Sequence, residues 1–512
     1  MLVHIFGAKC IGIDAVRVTV EVDIASGIGI HLCGLGDVAV KESLLRTVTA
    51  LQSLGYHIPG RKIVINLAPA DLHKSGSGYD LPIAIGIIAA SGQRDLPLIK
   101  DTLIMGELGL DGSVRPIKGG LPMADFAKKT GFRRCILPIS SALEASRIQG
   151  IDIYGVRNLT EVIDILSGSV FSTITETPPT AESADESAGA ERVDFADIIG
   201  QEGAKRALEI AACGAHNLIM IGSPGSGKSS LAKALPGILP PLTDSESLLC
   251  SKIYSVAGIS APGGSLMRTR PFRSPHYSAS LAAIIGGTGG TDNIIPGEVT
   301  LSHLGVLFLD EFNLMPRSVI EALRAPLEDR KVVISRLRSK IEYPASFTLI
   351  AAANPCPCGY YGEQGRCTCT PGQRNQYLSR LSGPIMDRMD LQVWVHPLNI
   401  SSLKSTAPRE SSAQIARRVL LGRRMQTRRF EGTGISSNAE MSVKQIGRFC
   451  PLEPDCEKLL SDLMETMQFS MRAYYRIIKV ARSIADLEGS ENIRKEHIME
   501  ASGYRFLDRA TE

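Results

Sequence analysis

What the sequence does not contain narrows it first. No stretch of its 512 residues reaches the roughly 18 uninterrupted apolar residues that a membrane-spanning helix needs, so no span is expected. Met1 to Gly12 carries no basic flank, no long apolar run and no small-residue cleavage site, so a secretory leader is not expected and a cytoplasmic protein is. A strong net charge is missing: 56 Lys and Arg stand against 53 Asp and Glu. The resulting +3 does not announce a nucleic-acid partner, although a balanced total can hide a local basic patch. Aromatic residues make up only 5%, and no basic stretch carries the ladder of them that reading bases by stacking requires. No repeat of solenoid length is present, which excludes a stacked-repeat fold.

What is there is a chain with 44% hydrophobic residues, long enough at about 150 residues per domain for about three folded units. Residues 168–192 include TITETPPTAESADESAGAE, which is polar, acidic and poor in large apolar side chains. Such a segment cannot bury enough surface to offset its conformational entropy, and it reads as a flexible linker. Before it, RVTVEVDI (17–24) and KIVINLAP (62–69) have the pattern of strands, and VKESLLRTVTALQSLGY (40–56) has helical apolar spacing, so residues 1–167 are expected to be a mixed α+β domain. After it, LIMIGS (218–223) and VLFLDE (306–311) are short apolar runs of the kind buried in parallel sheets, which predicts a doubly wound module over 193–400. From 401 to 512 strand-like runs fade and helical periodicity takes over, giving a helical lid and a multidomain α/β class for the whole chain.

Gly222, Ser223, Pro224, Gly225, Ser226, Gly227, Lys228 and Ser229 match G-x-x-x-x-G-K-[ST] between a strand-like and a helix-like segment. Glycines there let successive backbone N–H groups face phosphates. Lys228 is expected on the β and γ phosphates of ATP, and the Ser229 hydroxyl on Mg²⁺. VLFLDE ends an apolar strand with two carboxylates: Asp310 as a second Mg²⁺ ligand and Glu311 as the group that polarises water.

These residues resemble the AAA+ superfamily and, more narrowly, its magnesium-chelatase-like branch represented by ComM and YifB proteins. The resemblance covers nearly the whole chain and rests on SPGSGKSS (223–230), RPFRSPHYSAS (270–280), GVLFLDEF (305–312), AAANPCPCGYYG (351–362) and SMRAYYRIIKVARSIADL (470–487). It implies that Asn354 is a sensor orienting the lytic water, Arg388 an arginine finger reaching a neighbouring subunit, and Arg472 a second sensor. It also implies a homohexamer.

VVISRLRSKIEYPA (332–345) reads as strand, basic turn, strand, and resembles this branch's pre-sensor hairpin. Arg336, Arg338 and Lys340 would line a ring's channel and meet DNA phosphates, or form a solvated tip. In the long insertion between the two strands LIMIGS and VLFLDE, Arg268, Arg270, Arg273 and His276 are further candidate DNA contacts. Arg417, Arg418, Arg423, Arg424, Arg428 and Arg429 share one helical stretch; a solvated helix and a nucleic-acid contact both fit.

Eleven cysteines in a reducing compartment are expected as thiols, and a tight cluster then points to metal. Cys356, Cys358, Cys367 and Cys369 form such a cluster on a glycine-containing loop, four soft ligands suited to structural Zn²⁺, although the common C-x₂-C spacing is absent.

Residues 1–167 resemble the S5-like, Lon-protease-type fold through HKSGSGYDLPIAIG, GELGLDGSVRPIKGG and RRCILPISSALEA. The Lon-type Ser–Lys dyad departs at both places: Gly78 stands at the serine position and Pro122 at the lysine position, with Ser75, Ser77 and Lys74 nearby. Without nucleophile and base no covalent route remains, and proteolysis is not expected. The resemblance as a whole implies a hexameric, ATP-hydrolysing DNA helicase acting in branch migration during natural transformation and recombination, with no membrane partner. The alternative is a chelatase-type ATPase that remodels a protein partner.

Overall fold

The structure, a computed structural model, describes residues 2–34, 36–169, 172–174, 193–259, 262–288, 294–336, 339–363, 365–381, 383–397 and 409–509. The stretch expected to be a linker lies mostly outside these residues; near its start, Ile174 still donates its N–H to the Ile153 carbonyl at 2.9 Å. Among the described residues no helix is long and apolar enough to cross a membrane.

In the first unit, alternation sets the sheet. Val18, Val20 and Val22 of strand Asp14–Ala25 point to one face, as do Ile63, Ile65 and Leu67 of Lys62–Ala68, and all six are fully buried. Seven strands follow the order Ile30–Cys33, Lys62–Ala68, Asp14–Ala25, Val3–Ile11, Thr102–Ile104, Arg134–Pro138, Asp152–Val156, mixing parallel and antiparallel pairs. The helix expected at 40–56 forms over Val38–Ser53. Helix Asp80–Ala90 is apolar on nearly every side because it is buried on nearly every side, and its buried Asp80 accepts from the Arg46 guanidinium at 2.8 and 3.1 Å.

The second unit is a five-stranded parallel sheet in the order Phe272–Arg273, Val306–Leu309, Thr348–Ala353, Leu218–Gly222, Leu391–Val395. Its three middle strands are buried throughout, which explains their unbroken apolar runs. The third unit is helical: Ser412–Arg429, Val443–Phe449, Pro454–Met467, Met471–Leu487 and Lys495–Gly503. Helix Met471–Leu487 packs on Ser412–Arg429 and on Glu202–Gly214 of the second unit. A buried chain of polar groups bolts this contact: His216 Nε2 lies 2.7 Å from Ser483 Oγ and His216 Nδ1 3.3 Å from Asp390 Oδ2. Though its members are those of a nucleophilic triad, all three are buried, so no substrate reaches the hydroxyl. Burial works against ionisation of Asp390, but Arg476 and His216 win and hold its carboxyl well below the usual range.

The arginines of Ser412–Arg429 divide accordingly. Arg418 pairs with Glu209 at 2.5 Å, Arg423 donates to the Ala212 carbonyl at 3.3 Å, and Arg429 pairs with Asp486 at 2.5 Å. These three fasten the helical unit rather than offering charge to a polymer.

The first unit docks on helix Asp244–Ala257 of the second. Lys252, 6% exposed, hydrogen-bonds Asp125 and lies 3.4 Å from Asp14, while Ser255 Oγ donates to Glu144 at 2.8 Å and the Gly119 N–H to the Ser255 carbonyl at 3.0 Å. Removing one partner of a buried pair leaves an uncompensated charge and costs about 3–5 kcal/mol, whereas removing both costs much less. Asp125→Ala is therefore expected to loosen this contact more than the double variant Asp125→Ala/Lys252→Met, measured by thermal unfolding and protease sensitivity between the units. Equal losses in the two would refute that account.

Candidate functional site

Three adjacent strands end at one edge of the parallel sheet, where ligand crevices of such sheets open. Leu218–Gly222 runs into the glycine loop, Val306–Leu309 into Asp310 and Glu311, and Thr348–Ala353 into Asn354. Gly225 and Gly227 have φ of 77° and 94°, the left-handed region that a side chain disfavours, and this turns the loop back toward helix Lys228–Ala234. Ser226 Oγ is buried in this loop without a hydrogen-bond partner, a polar atom suited to an oxygen-rich ligand.

Lys228 lies across the loop mouth. Its Nζ donates to the Gly222 and Ser223 carbonyls at 2.7 and 2.9 Å and to Asn354 Oδ1 at 3.3 Å. Burial lowers its pKa, while Asp310 and Glu311 oppose the shift. Ser229 Oγ donates to Asp310 Oδ2 at 2.7 Å, so the two oxygens anticipated on Mg²⁺ are neighbours, hard donors of the right kind for that cation. Asp310 Oδ1 accepts from the Glu311 N–H at 2.9 Å, and Glu311 sits at φ 48°, ψ 40°, a strained conformation for a residue with a side chain. Lys228, Ser229, Asp310, Glu311 and Asn354 are thus brought together from three strand ends.

Gln201 joins them, and sequence reasoning missed it. At φ 61° it donates through Nε2 to the Ser226 carbonyl at 3.1 Å and to the His396 carbonyl at 2.6 Å, tying the glycine loop to the strand beyond. The only local signal is a polar residue after glycine at a helix start, too common to single out.

Arg388 and Arg472 belong to a different group of contacts. Arg388, its side chain 12% exposed, donates to the Pro384 carbonyl and pairs with Glu328 at 2.5 Å; Arg472, 69% exposed, pairs with Asp387 at 2.6 Å. None of these partners belongs to the Lys228 cluster.

The basic residues separate in the same way. Arg270 donates to the Pro240 and Leu304 carbonyls and pairs with Glu246, and Arg273 grips Glu298 through both arms at 2.6 and 2.8 Å. Arg268 pairs with Asp244, and His276 bonds Ser278. Strands Lys331–Arg336 and Ser339–Pro344 pair antiparallel as the anticipated hairpin; Lys340 is exposed on it, and Arg338 lies outside the described residues.

The four cysteines converge. Their sulfurs all lie within 4.8 Å of one another, with Cys356 3.3 Å from Cys358 and 3.8 Å from Cys367, and Cys358 3.7 Å from Cys367. Burial pushes the Cys356 thiol up, whereas the Tyr360 N–H and Cys356 draw Cys358 down. Nearby, Glu363 accepts from the Arg366 guanidinium at 2.7 Å.

In the first unit, a side chain at Gly78 would meet Met105 and Ile117, and Pro122 is buried on helix Gly120–Lys129. Ser77 Oγ bonds Glu107 and Lys74 Nζ bonds the Pro69 carbonyl, so these two do not form a Ser–Lys pair.

Residues 194–403 match the family described as magnesium chelatase, subunit ChlI; residues 20–141 match subunit ChlI of Mg-chelatase, and 409–505 the C-terminal part of that subunit. Competence protein ComM of Haemophilus influenzae is 41% identical over 511 residues, 99% of this chain and 98% of its own. YifB of Salmonella typhimurium is 41% identical over 503 residues, 98% of this chain and 96% of its own. A shorter similarity, 27% over 173 residues, 32% of this chain and 26% of the relative, is to the archaeal Lon protease of Methanocaldococcus jannaschii. With likeness running end to end and the glycine loop meeting the acidic strand end as described, the chain belongs to the magnesium-chelatase-like AAA+ family of ComM and YifB.

Proposed function

We propose that this chain is an ATP-driven DNA motor, a helicase that works in the cytoplasm as a homohexamer and promotes branch migration in recombination and natural transformation. The observation that carries the ATPase half is the convergence of Lys228, Ser229, Asp310 and Asn354 at three neighbouring strand ends. In this reading the N–H groups of Gly222–Ser229 cradle the phosphates and Lys228 Nζ turns from the Gly222 and Ser223 carbonyls to phosphate oxygens. Asn354 orients the attacking water, and Glu311 takes its proton. Ser229 and Asp310 hold Mg²⁺, which when bound neutralises charge on the phosphoryl oxygens.

Arg388, held by Glu328 and Pro384 rather than by the Lys228 cluster, suits service to a neighbouring subunit as the arginine finger, and Arg472, paired with Asp387, is the second sensor. Zinc at the four cysteines is a structural cofactor. DNA runs through the ring against the hairpin of Arg336, Arg338 and Lys340; Arg270 and Arg273, already paired with Glu246 and Glu298, add less to that surface. The name of the Haemophilus relative, a competence protein, supports the pathway. A second reading, an ATPase that remodels a protein partner, is favoured by the match to magnesium chelatase.

Glu311→Gln is expected to keep ATP binding while turnover falls by about 10²–10⁴, the usual worth of a general base, measured by phosphate release and nucleotide titration. Wild-type turnover should rise with forked or four-way DNA, and the rise should shrink steeply with salt as released counterions oppose binding. Turnover indifferent to every DNA, with no strand displacement, would transfer the protein to the remodelling reading. If Arg388 completes a neighbour's site, mixing inactive Arg388→Ala and Glu311→Gln subunits should restore part of the ATPase, because some interfaces then combine an intact Glu311 with an intact Arg388. No recovery on mixing would count against a shared site.

A further inference from the structure

The cysteine loop begins two residues after Asn354 and returns to the glycine loop. Cys356 is fully buried, while Pro357, Tyr361, Gly362, Gly365 and Arg366 are exposed, so the segment has little apolar core of its own. Small segments of this kind are ordered by metal rather than by burial. The sulfur spacing fits one ion: four ligands at about 2.3 Å around tetrahedral zinc lie about 3.8 Å apart, and three of the sulfur pairs here are 3.3, 3.8 and 3.7 Å apart. All four residues are free thiols, well beyond the roughly 2.05 Å of a disulfide. Soft thiolates select zinc over the hard Mg²⁺ of the neighbouring site.

The loop also touches what it would brace. Gly359, at φ 84°, approaches Pro224 so closely that a Cβ there would fall 2.8 Å from Pro224 Cδ. At its start Asn354 accepts from Lys228. The cluster therefore bears on the glycine loop at Pro224 and on its lysine through Asn354.

We propose that Cys356, Cys358, Cys367 and Cys369 bind one zinc ion as a closed tetrathiolate, and that this ion is a strut holding the phosphate loop and Asn354 in register, so that nucleotide affinity depends on metal. The strut rests on the reading of Gly222–Ser229 as a phosphate loop; the metal site does not. Full-length protein purified without chelator is expected to carry about one zinc per chain, and Co²⁺ added in its place should give the absorption bands of tetrahedral thiolate coordination. Removing the metal with a chelator, or by Cys367→Ser/Cys369→Ser, should weaken binding of a fluorescent ATP analogue by about tenfold or more, a 1.4 kcal/mol effect. Zinc returned to the chelated wild type should restore it, which separates loss of the strut from misfolding of a variant.

Metal-free protein with no cobalt spectrum would overturn the site. Full metal content with nucleotide affinity unchanged on its removal would overturn the strut. If wild-type protein gives the cobalt spectrum yet binds no nucleotide, the phosphate-loop reading fails and the strut with it, while the tetrathiolate stands.

Discussion

The hydrogen bond from Ser229 Oγ to Asp310 Oδ2 joins positions 81 residues apart, and it depends on the parallel sheet that sets their strands on either side of Thr348–Ala353. In a parallel ladder the carboxyl ends of neighbouring strands emerge at the same edge, so whatever follows each strand is delivered to a common crevice. Asn354 enters from the middle strand and meets Lys228 from beside it. The cysteine loop follows Asn354 directly and leans on Pro224. An antiparallel neighbour would have sent one of these ends to the opposite edge.

Several basic residues are committed to internal joints. Arg418, Arg423 and Arg429 fasten the helical unit, Lys252 docks the first unit, and Arg270 and Arg273 tie the long insertion to Glu246 and Glu298. A guanidinium beside carboxylates and carbonyls offers a fixed fork of donors, which suits rigid joints. Local arginine density therefore does not by itself mark free charge, whereas Lys340 is exposed on its hairpin. The helical unit's bolt runs through His216, Asp390 and Ser483, and Asp390 lies two residues from Arg388 in the chain.

Much of the architecture was legible because it is written in short spacings. Alternation gave Asp14–Ala25 and Lys62–Ala68, helical spacing gave Val38–Ser53, and unbroken apolar runs gave the buried parallel strands. The phosphate loop and the acidic strand end could be named because each motif and its context fit within about a dozen residues. Gln201 escaped because its partners, the Ser226 and His396 carbonyls, are backbone atoms far along the chain with no side-chain signature. Docking of the first unit escaped for the same reason: nothing around Lys252 announces Asp125, Asp14 or Glu144.

The sequence by itself determined the chemistry within each segment: a loop able to wrap phosphates, two carboxylates ending a strand, an asparagine ending another, and four thiols within fourteen positions. Only the tertiary structure decided which of these meet. It brought Lys228 to Asn354 and Ser229 to Asp310, closed four sulfurs to within 4.8 Å, and set Arg388 and Arg472 among other partners. The reason is physical: backbone periodicity and motif geometry act over a few residues, whereas strand order and the pairing of buried charges are set by which surfaces pack together across the whole chain.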